Sequence, residues 1–112
     1  MEAETVAAFF CTELGRRMCA ATEVRREVPF TLMIEDGVLV QGVLDAAFRV
    51  EGGWVLLDYK TGGKGRSDEE IIRMYRQQLI CYGDAIRRLW NEPVKEVWLY
   101  MLDMNRVIPV EI

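Results

Sequence analysis

The sequence predicts an α/β fold, in which a mixed sheet is flanked by helices and the element order is α-β-β-β-α-β-β. Three observations support this prediction. Apolar residues recur at every fourth position over residues 4–20, which is the spacing of one helix face. Three strand-like segments follow, rich in β-branched or aromatic residues and separated by turns that contain glycine. A longer helical pattern then precedes two further strand-like segments.

The first helix and the three strands after it make up the amino-terminal half of the predicted fold. The helix has an apolar stripe formed by Val6, Phe10, Leu14 and Met18. Two tight turns, Glu35-Asp36-Gly37 and Glu51-Gly52-Gly53, contain residues that hairpin connections favour, so we expect the three strands to form a meander. The predicted strands are 28–34, about 38–50, and 54–60.

A loop joins the third strand to the second helix. Residues 61–67 contain three glycines together with Lys64 and Arg66, and they lack the spacing of a phosphate-binding P-loop. The pattern indicates an exposed linker, whose two cations could touch a DNA backbone. Ser67 and Glu70 form a capping box, which predicts that a long helix begins here.

The long helix is expected to present one face to the sheet and an arginine-rich face outward. The predicted inner stripe is Ile71, Tyr75, Gln78, Tyr82, Ala85 and Leu89. The outer face carries Arg73, Arg76, Arg87 and Arg88. These arginines form either a solvated face or a phosphate-binding track, and Arg16 with Arg17 offers a second track of that kind. The helix is expected to end at residues 91–93, before strands at 94–102 and 105–112.

Composition excludes several classes of protein. At 112 residues the chain has the size of one domain. The absence of histidine excludes the zinc-protease helix motif, the Ser-His-Asp triad and the Cys-His dyad. A net charge of −4 has the wrong sign for gripping nucleic acid through bulk electrostatics.

Localisation and redox state are also expectations from the sequence. No apolar run approaches the roughly 20 residues that cross a bilayer, and no signal-peptide pattern opens the chain, so we expect a soluble, cytoplasmic protein. The cysteines are too few and too irregularly spaced for a disulfide framework or a metal cluster. We therefore expect Cys11, Cys19 and Cys81 to be reduced core residues.

Ionisable residues emerge from two of the predicted strands. Asp58, Tyr59 and Lys60 end the third strand, and Asp45 lies in the second. Because strand side chains alternate between faces, Asp58 and Lys60 are expected to point one way and Tyr59 the other. Burying unpaired charges is costly, so such groups are usually paired, hydrogen-bonded or bound to a metal.

This group of residues allows two interpretations. In one, Lys60 neutralises a carboxylate in a structural ion pair. In the other, Asp45 and Asp58 bind Mg²⁺ together with the backbone carbonyl of Tyr59, and the site hydrolyses phosphodiesters. Lys60 would then orient the attacking water or stabilise the negative charge that develops on the phosphate oxygens.

Ordered motifs distinguish between these interpretations. They are Gly42-Val43-Leu44-Asp45, Asp58-Tyr59-Lys60-Thr61 and Tyr75-x-x-Gln78-Leu79-x-x-Tyr82, with Glu27-x-Pro29-Phe30 before them and Val97-Trp98-Leu99-Tyr100 after them. Nearly the whole chain resembles the RecB-like branch of the PD-(D/E)XK nuclease superfamily, and within it the C-terminal nuclease domain of AddA-type helicase–nucleases. The resemblance implies a restriction-endonuclease-like fold, with residues 1–112 forming one nuclease domain of a larger helicase–nuclease.

The resemblance also implies roles for particular residues. Asp45, Asp58 and Lys60 would be catalytic, and Asp45, Asp58 and the Tyr59 carbonyl would bind Mg²⁺ or Mn²⁺. Gln78 and Tyr82 would form the Gln-x-x-x-Tyr motif beside the site. Independently, a buried amide such as that of Gln78 needs partners, whereas a tyrosine in a helical stripe is typical of core packing.

Glu27 has three candidate roles. It would support the site or contact DNA, or it is a strand-entry glutamate paired with Arg25 or Arg26. The chain departs from the family pattern in two places: an upstream histidine is absent, and Gly62 stands where those sequences commonly have an aspartate.

The implied function is Mg²⁺-dependent exonucleolytic cleavage of DNA during end processing and recombinational repair. DNA and helicase domains are the implied partners, and an isolated fragment could form a homodimer. The alternative is a catalytically inactive nuclease-fold module that has a structural or DNA-guiding role in a repair complex.

Overall fold

The computed structural model describes residues 3–33 and 35–112, and the side chains of all of these except residues 3–6 and 36. Two helices, three strands, a long helix and two strands follow one another. Their bounds are α1 Ala3–Phe10, α2 Glu13–Ala20, β1 Val24–Met33, β2 Leu39–Val50, β3 Gly53–Lys60, α3 Asp68–Trp90, β4 Val94–Met101 and β5 Arg106–Pro109. The predicted α/β class and element order are confirmed, except that the first helix is divided in two. The expected strand residue Ile34 and the side chains of Val6 and Asp36 lie outside the described part.

The five strands form one mixed sheet in the order β1-β2-β3-β4-β5. β1, β2 and β3 pair antiparallel, as the predicted meander requires. β3 and β4 pair parallel, because α3 carries the chain back across the sheet between them. β5 then pairs antiparallel with β4.

Helices cover both faces of the sheet, and each face has its own apolar core. The core under α3 includes Phe30, Leu44, Ala47, Trp54, Leu56, Leu79, Ile86 and Leu99. The core under α1 and α2 includes Phe9, Leu14, Met18, Ala46, Phe48, Val55, Leu57 and Tyr100. Alternation along β3 sends Leu56 to the first core and Leu57 to the second, as expected for a strand buried on both sides.

The first helix is interrupted at Thr12, which corrects the prediction of one helix over residues 4–20. The Thr12 hydroxyl donates to the Phe9 carbonyl at 2.6 Å and accepts the Gly15 N–H at 3.0 Å, so it caps the start of α2. A Cβ on Gly15 would lie 2.3 Å from the Phe9 carbonyl oxygen. The sequence signal for the break is therefore Thr12 together with Gly15, and the four-residue apolar spacing concealed it.

The long helix begins as predicted but presents a different face to the sheet. The Ser67–Glu70 capping box is present, and Asn91 ends the helix in the left-handed conformation. Its buried residues are Ile71, Leu79, Gly83, Ala85 and Ile86. Gln78 and Leu89 are exposed, so their assignment to the inner face was wrong. The helix is rotated so that Leu79 and Ile86 are buried, because apolar side chains gain more from burial than the amide of Gln78.

The cysteines are not core residues, which corrects a further prediction. Cys11 and Cys19 are exposed and Cys81 is half-buried, and all three are free thiols. Among the described residues, no helix combines the length and the apolar character that crossing a membrane requires.

Candidate active site

The candidate site lies where β2 and β3 separate. The two strands pair from Val50 and Gly53 up to Ala46 and Leu57. Asp45 and Asp58 are the next residues on each strand, and there the ladder stops. The Tyr59 N–H donates instead to Oδ2 of Asp45 at 2.8 Å. Both halves of the gap remain tied on their far sides, since β2 continues to pair with β1 and β3 with β4.

Asp58 is the one charged residue that is fully buried within the described part of the chain, with 1% of its surface exposed. Burial, together with the neighbouring carboxylate of Asp45, raises the pKa of Asp58 to about 7, although Lys60 opposes the shift. Nζ of Lys60 lies 3.3 Å from Oδ2 of Asp58. No described group donates a well-directed hydrogen bond to that oxygen. The buried carboxylate is therefore only partly compensated.

Lys60 is held from several directions at the end of β3. Its ammonium pairs with Asp58 and lies 5.1 Å from the centre of the Tyr75 ring, within cation–π range. Its carbonyl accepts the Leu102 N–H at 2.8 Å. The expected orientation is confirmed, because Asp58 and Lys60 share one face of the strand. Sequence reasoning missed Tyr75 as a neighbour of Lys60, although Tyr75 belongs to the same motif as Gln78 and Tyr82.

Tyr59 points to the opposite face, as expected. Its ring packs edge-on against Phe9 and Tyr100, with centroid distances of 5.6 and 6.4 Å. Burial, as the main cause, raises the pKa of Tyr59 to about 12. In an extended strand the N–H and C=O of one residue point to the same side. The Tyr59 carbonyl is therefore directed towards the gap in which its N–H meets Asp45.

Glu27 lies opposite Asp45 in an interruption of the β1–β2 ladder. Pairing runs through Arg26 with Ala46 and resumes at Val28 with Leu44, leaving Glu27 and Asp45 unpaired. Glu27 has a φ of 49°, in the left-handed region that residues other than glycine rarely adopt. Such strain clusters at functional sites. No sequence signal indicated this interruption.

The interruption reverses the inward and outward pattern of both strands. Leu44 and Ala47, three positions apart, belong to the same core, and Ala46 belongs to the other. Asp45 thereby occupies the position where β2 changes face. A cleft of about 750 Å³ opens beside it on the α1 side. It is lined by Phe9, Phe10, Arg26, Glu27, Asp45, Tyr59, Thr61, Tyr100 and Leu102.

The expected pairing of Glu27 with Arg25 or Arg26 is absent from the described ion pairs. Arg25 pairs with Glu23 at 2.8 Å instead. Its guanidinium also lies over Trp54 and Trp90, 4.7 and 4.4 Å from the ring centres. These aromatic rings hold Arg25 on the α3 side, away from Glu27.

Tyr82 and Gln78 occupy different environments on α3. Tyr82 is half-buried and packs edge-to-face on Phe30 at 5.6 Å. Burial and the charges of the two carboxylates raise its pKa, so its hydroxyl lies within the field of the site. A Cβ on Gly42 would lie 2.9 Å from the Phe30 ring and 3.2 Å from Tyr82, which explains glycine at that position. Gln78 is exposed and makes no hydrogen bond to another described residue.

The arginines expected to track phosphates are largely occupied within the chain. Arg17 forms two hydrogen bonds to Glu96, at 2.9 and 2.7 Å. On α3, Arg87 pairs with Asp84, and Arg76 and Arg88 donate to backbone carbonyls. A solvated helix face is the better description of α3. Lys64 and Arg66 are exposed in the loop, as predicted.

The residues in the gap fit a hard divalent cation. Two adjacent carboxylates repel one another, and the Asp58 oxygen without a hydrogen-bond donor is an available ligand. Within the described ranges, no third His, Cys, Asp or Glu joins Asp45 and Asp58. Mg²⁺ commonly uses one or two carboxylates and completes its shell with water and substrate phosphate. The donor set is thus sufficient for Mg²⁺ or Mn²⁺ and unsuited to a closed structural zinc site.

Similarity to known proteins agrees with this geometry. The chain matches the family model of the PD-(D/E)XK nuclease superfamily over residues 2–109. Proteins named as a subunit of an ATP-dependent helicase/nuclease, of the AddA type, are 42% identical in Geobacillus kaustophilus, over 95% of this chain, and 39% identical in Anoxybacillus flavithermus, over all of it. The counterpart in Geobacillus thermodenitrificans is 39% identical over 99% of the chain.

These relatives are much longer than the chain. It spans about a tenth of each, 10% of the first two and 11% of the third. The nuclease motifs in the sequence, the mixed sheet with its carboxylate-lined gap and the family match all agree. The chain belongs to the PD-(D/E)XK nuclease superfamily.

Proposed function

We propose that this chain is one nuclease domain of a helicase–nuclease and that it hydrolyses DNA phosphodiesters with Mg²⁺ or Mn²⁺. The single observation that carries the proposal is the buried Asp58 carboxylate, held beside Asp45 and 3.3 Å from the ammonium of Lys60. Three ionisable groups in one opening of a hydrophobic sheet are costly unless a function retains them.

Each residue has a distinct role in this proposal. Asp45, Asp58 and the Tyr59 carbonyl would hold the metal, which supplies Lewis-acid polarisation of the phosphate and activates water. Lys60 would place its positive charge where negative charge develops on the phosphate oxygens, or orient the attacking water. Asp45 has a second task, since it accepts the Tyr59 N–H and so fixes the backbone of the neighbouring ligand.

The residues around the gap would support the DNA. Tyr82 would bound the site from the α3 side, where it packs on Phe30. The exposed amide of Gln78 would contact DNA, because it is not engaged in the core. Glu27 would face the same strand from the cleft on the other side of the sheet. We propose exonucleolytic cleavage during DNA end processing and recombinational repair, with helicase domains and DNA as the partners.

One observation favours a second candidate function. The Asp58–Lys60 contact is also what an inert ion pair would show. In that case the chain would be a non-catalytic module that keeps the nuclease fold and guides DNA within a repair complex. Metal affinity separates the two functions, because an inert pair offers no vacant oxygen ligands.

The first experiment is a calorimetric titration of the wild-type chain and of Asp58→Asn with Mn²⁺. We expect wild type to bind and Asp58→Asn to lose most of that affinity. Asp84→Asn is the matched control, since Asp84 is an aspartate on α3 that pairs with Arg87 instead of facing the gap. Absence of binding in wild type would favour the non-catalytic module.

The second experiment measures cleavage of an end-labelled DNA by Lys60→Ala. Removing a charge that acts on the transition state should lower the rate on the order of a hundredfold or more. Circular dichroism checks that the fold is retained. Lys95→Ala, at an exposed position of β4, should cleave at the wild-type rate. A fully active Lys60→Ala protein would refute the proposed role of Lys60.

A further inference from the structure

The turn between β4 and β5 contacts the loop that follows Lys60. Oδ2 of Asp103 accepts three consecutive backbone N–H groups, from Gly62 at 3.2 Å, Gly63 at 3.0 Å and Lys64 at 3.2 Å. Consecutive amides converging on one anionic oxygen form a nest, and bonds to a charged acceptor are stronger than neutral ones. Gly62 has a φ of 88°, a conformation that glycine adopts without strain.

The same turn also holds Lys60 itself. The Leu102 N–H donates to the Lys60 carbonyl at 2.8 Å, and Leu102 precedes Asp103. Two neighbouring residues of the turn therefore bind the chain on both sides of Thr61. The loop also lies against the turn, since a Cβ on Gly63 would be 2.6 Å from the Met104 sulfur.

This contact matters because Lys60 is the last residue of β3. A strand end frays easily unless neighbouring segments fix it. The lysine side chain also loses up to about 2 kcal/mol of rotamer entropy when it is held in one place. The Tyr75 ring and Asp58 restrain the ammonium. Their restraint is effective only if the backbone below the side chain is itself fixed.

We infer that Asp103 is a positioning residue, whose carboxylate fixes the loop after β3 and thereby holds Lys60 beside Asp58. The inference rests on the proposed function in one respect, namely that Lys60 is the catalytic lysine. The contact itself involves neither metal nor DNA, so it can be tested separately.

The test is the rate at which each lysine is acetylated by an amine-reactive ester, read by peptide mass spectrometry. The chain has three lysines, Lys60, Lys64 and Lys95. A lysine released from its carboxylate partner has a larger neutral fraction and is more accessible. Asp103→Ala should therefore raise the rate at Lys60 about threefold or more, and leave the rate at Lys95 unchanged.

Conservative and control variants separate positioning from general stability. Asp103→Asn retains an acceptor oxygen but loses the charge, so its Lys60 rate should fall between those of wild type and Asp103→Ala. Asp84→Ala should leave both lysines unchanged. A wild-type rate at Lys60 in either folded Asp103 variant would overturn the inference. An equal rise at Lys60 and Lys95 would also overturn it, because it would indicate overall loosening.

Cleavage kinetics provide the second measurement. At saturating DNA and Mn²⁺, we expect Asp103→Ala to lower kcat about ten- to a hundredfold, with Mn²⁺ affinity unchanged, because misplacing a catalytic group reduces kcat. Unchanged kcat would contradict the inference. If wild type does not cleave DNA but Lys60 becomes more reactive in the Asp103 variants, the proposed function fails and the positioning of Lys60 by Asp103 stands.

Discussion

Single residues carry the chemistry, and Asp58 shows most clearly what such a residue costs. Its carboxylate is buried, is raised in pKa to about 7 and has an oxygen to which no described group donates a well-directed hydrogen bond. A residue chosen for stability alone would be apolar at this position, like Leu56 and Leu57 before it. Asp58 is thus a site at which function is expected to reduce stability.

The first residue-scale prediction concerns Asp58→Asn in metal-free buffer at pH 8. Asparagine has a similar shape and no charge to desolvate, so the variant should unfold with about 1–2 kcal/mol more free energy than wild type. Loss of the Lys60 ion pair reduces this gain. Urea denaturation with a chelator present measures the difference.

Adding Mn²⁺ should reverse that order. A ligand that binds the folded state alone stabilises it, and wild type has the intact site. Asp84→Asn, which alters an exposed pair, should behave like wild type in both buffers. A variant that is less stable than wild type in the metal-free buffer would contradict the stability cost that we assign to Asp58.

Residue-scale prediction from sequence was accurate where period-two alternation continues. It oriented Asp58, Tyr59 and Lys60 correctly along β3. It could not find the contact between Asp103 and the loop at residues 62–64, because that contact joins segments about 40 residues apart in sequence. Nor could it find the left-handed conformation of Glu27, which depends on the opposing strand.

At the scale of elements, the capped ends were predictable and the faces were less so. The capping box at Ser67 located the start of α3 to the residue. The inner face was misplaced by about one position, because two interleaved stripes, one through Gln78 and one through Leu79, fit the same helical period. The structure selects the stripe that buries Leu79 and Ile86. The motif residue Gln78 consequently faces solvent.

A prediction at this scale concerns the break between α1 and α2. Thr12→Ala removes the side chain that accepts the Gly15 N–H, so the free energy of unfolding should fall by about 1 kcal/mol. Thr12→Ser keeps the hydroxyl and should lose much less. Thermal denaturation of both variants measures the effect. If Thr12→Ala melts with wild-type stability, the capping role of Thr12 is wrong.

At the scale of the whole molecule, the charges are mostly neutralised internally. The net charge is −4, and salt bridges occupy Arg17, Arg25, Arg49, Arg87 and Arg106. Few cations among the described residues are left to meet a phosphate backbone. A domain of this kind depends on other parts of a longer protein for its grip on DNA. The homodimer expected for an isolated fragment stays a prediction.

The matching prediction is a shallow salt dependence of DNA binding. Each phosphate neutralised on single-stranded DNA contributes about −0.7 to the slope of log K against log salt concentration. We expect a slope no steeper than about −2, corresponding to two or three contacts. Fluorescence anisotropy with a labelled oligonucleotide measures it. A slope of about −5 would show a basic surface that the ion pairs do not reveal.

The gap between β2 and β3 separates what keeps the molecule folded from what it does. Each wall of the gap is anchored to another strand, β1 behind β2 and β4 behind β3. Residues facing the opening can therefore be exchanged without dismantling the hydrogen-bond ladders. A protein built in this way can lose, regain or retune its chemistry over evolutionary time while the rest of its sheet stays under a separate and nearly independent selection for stability.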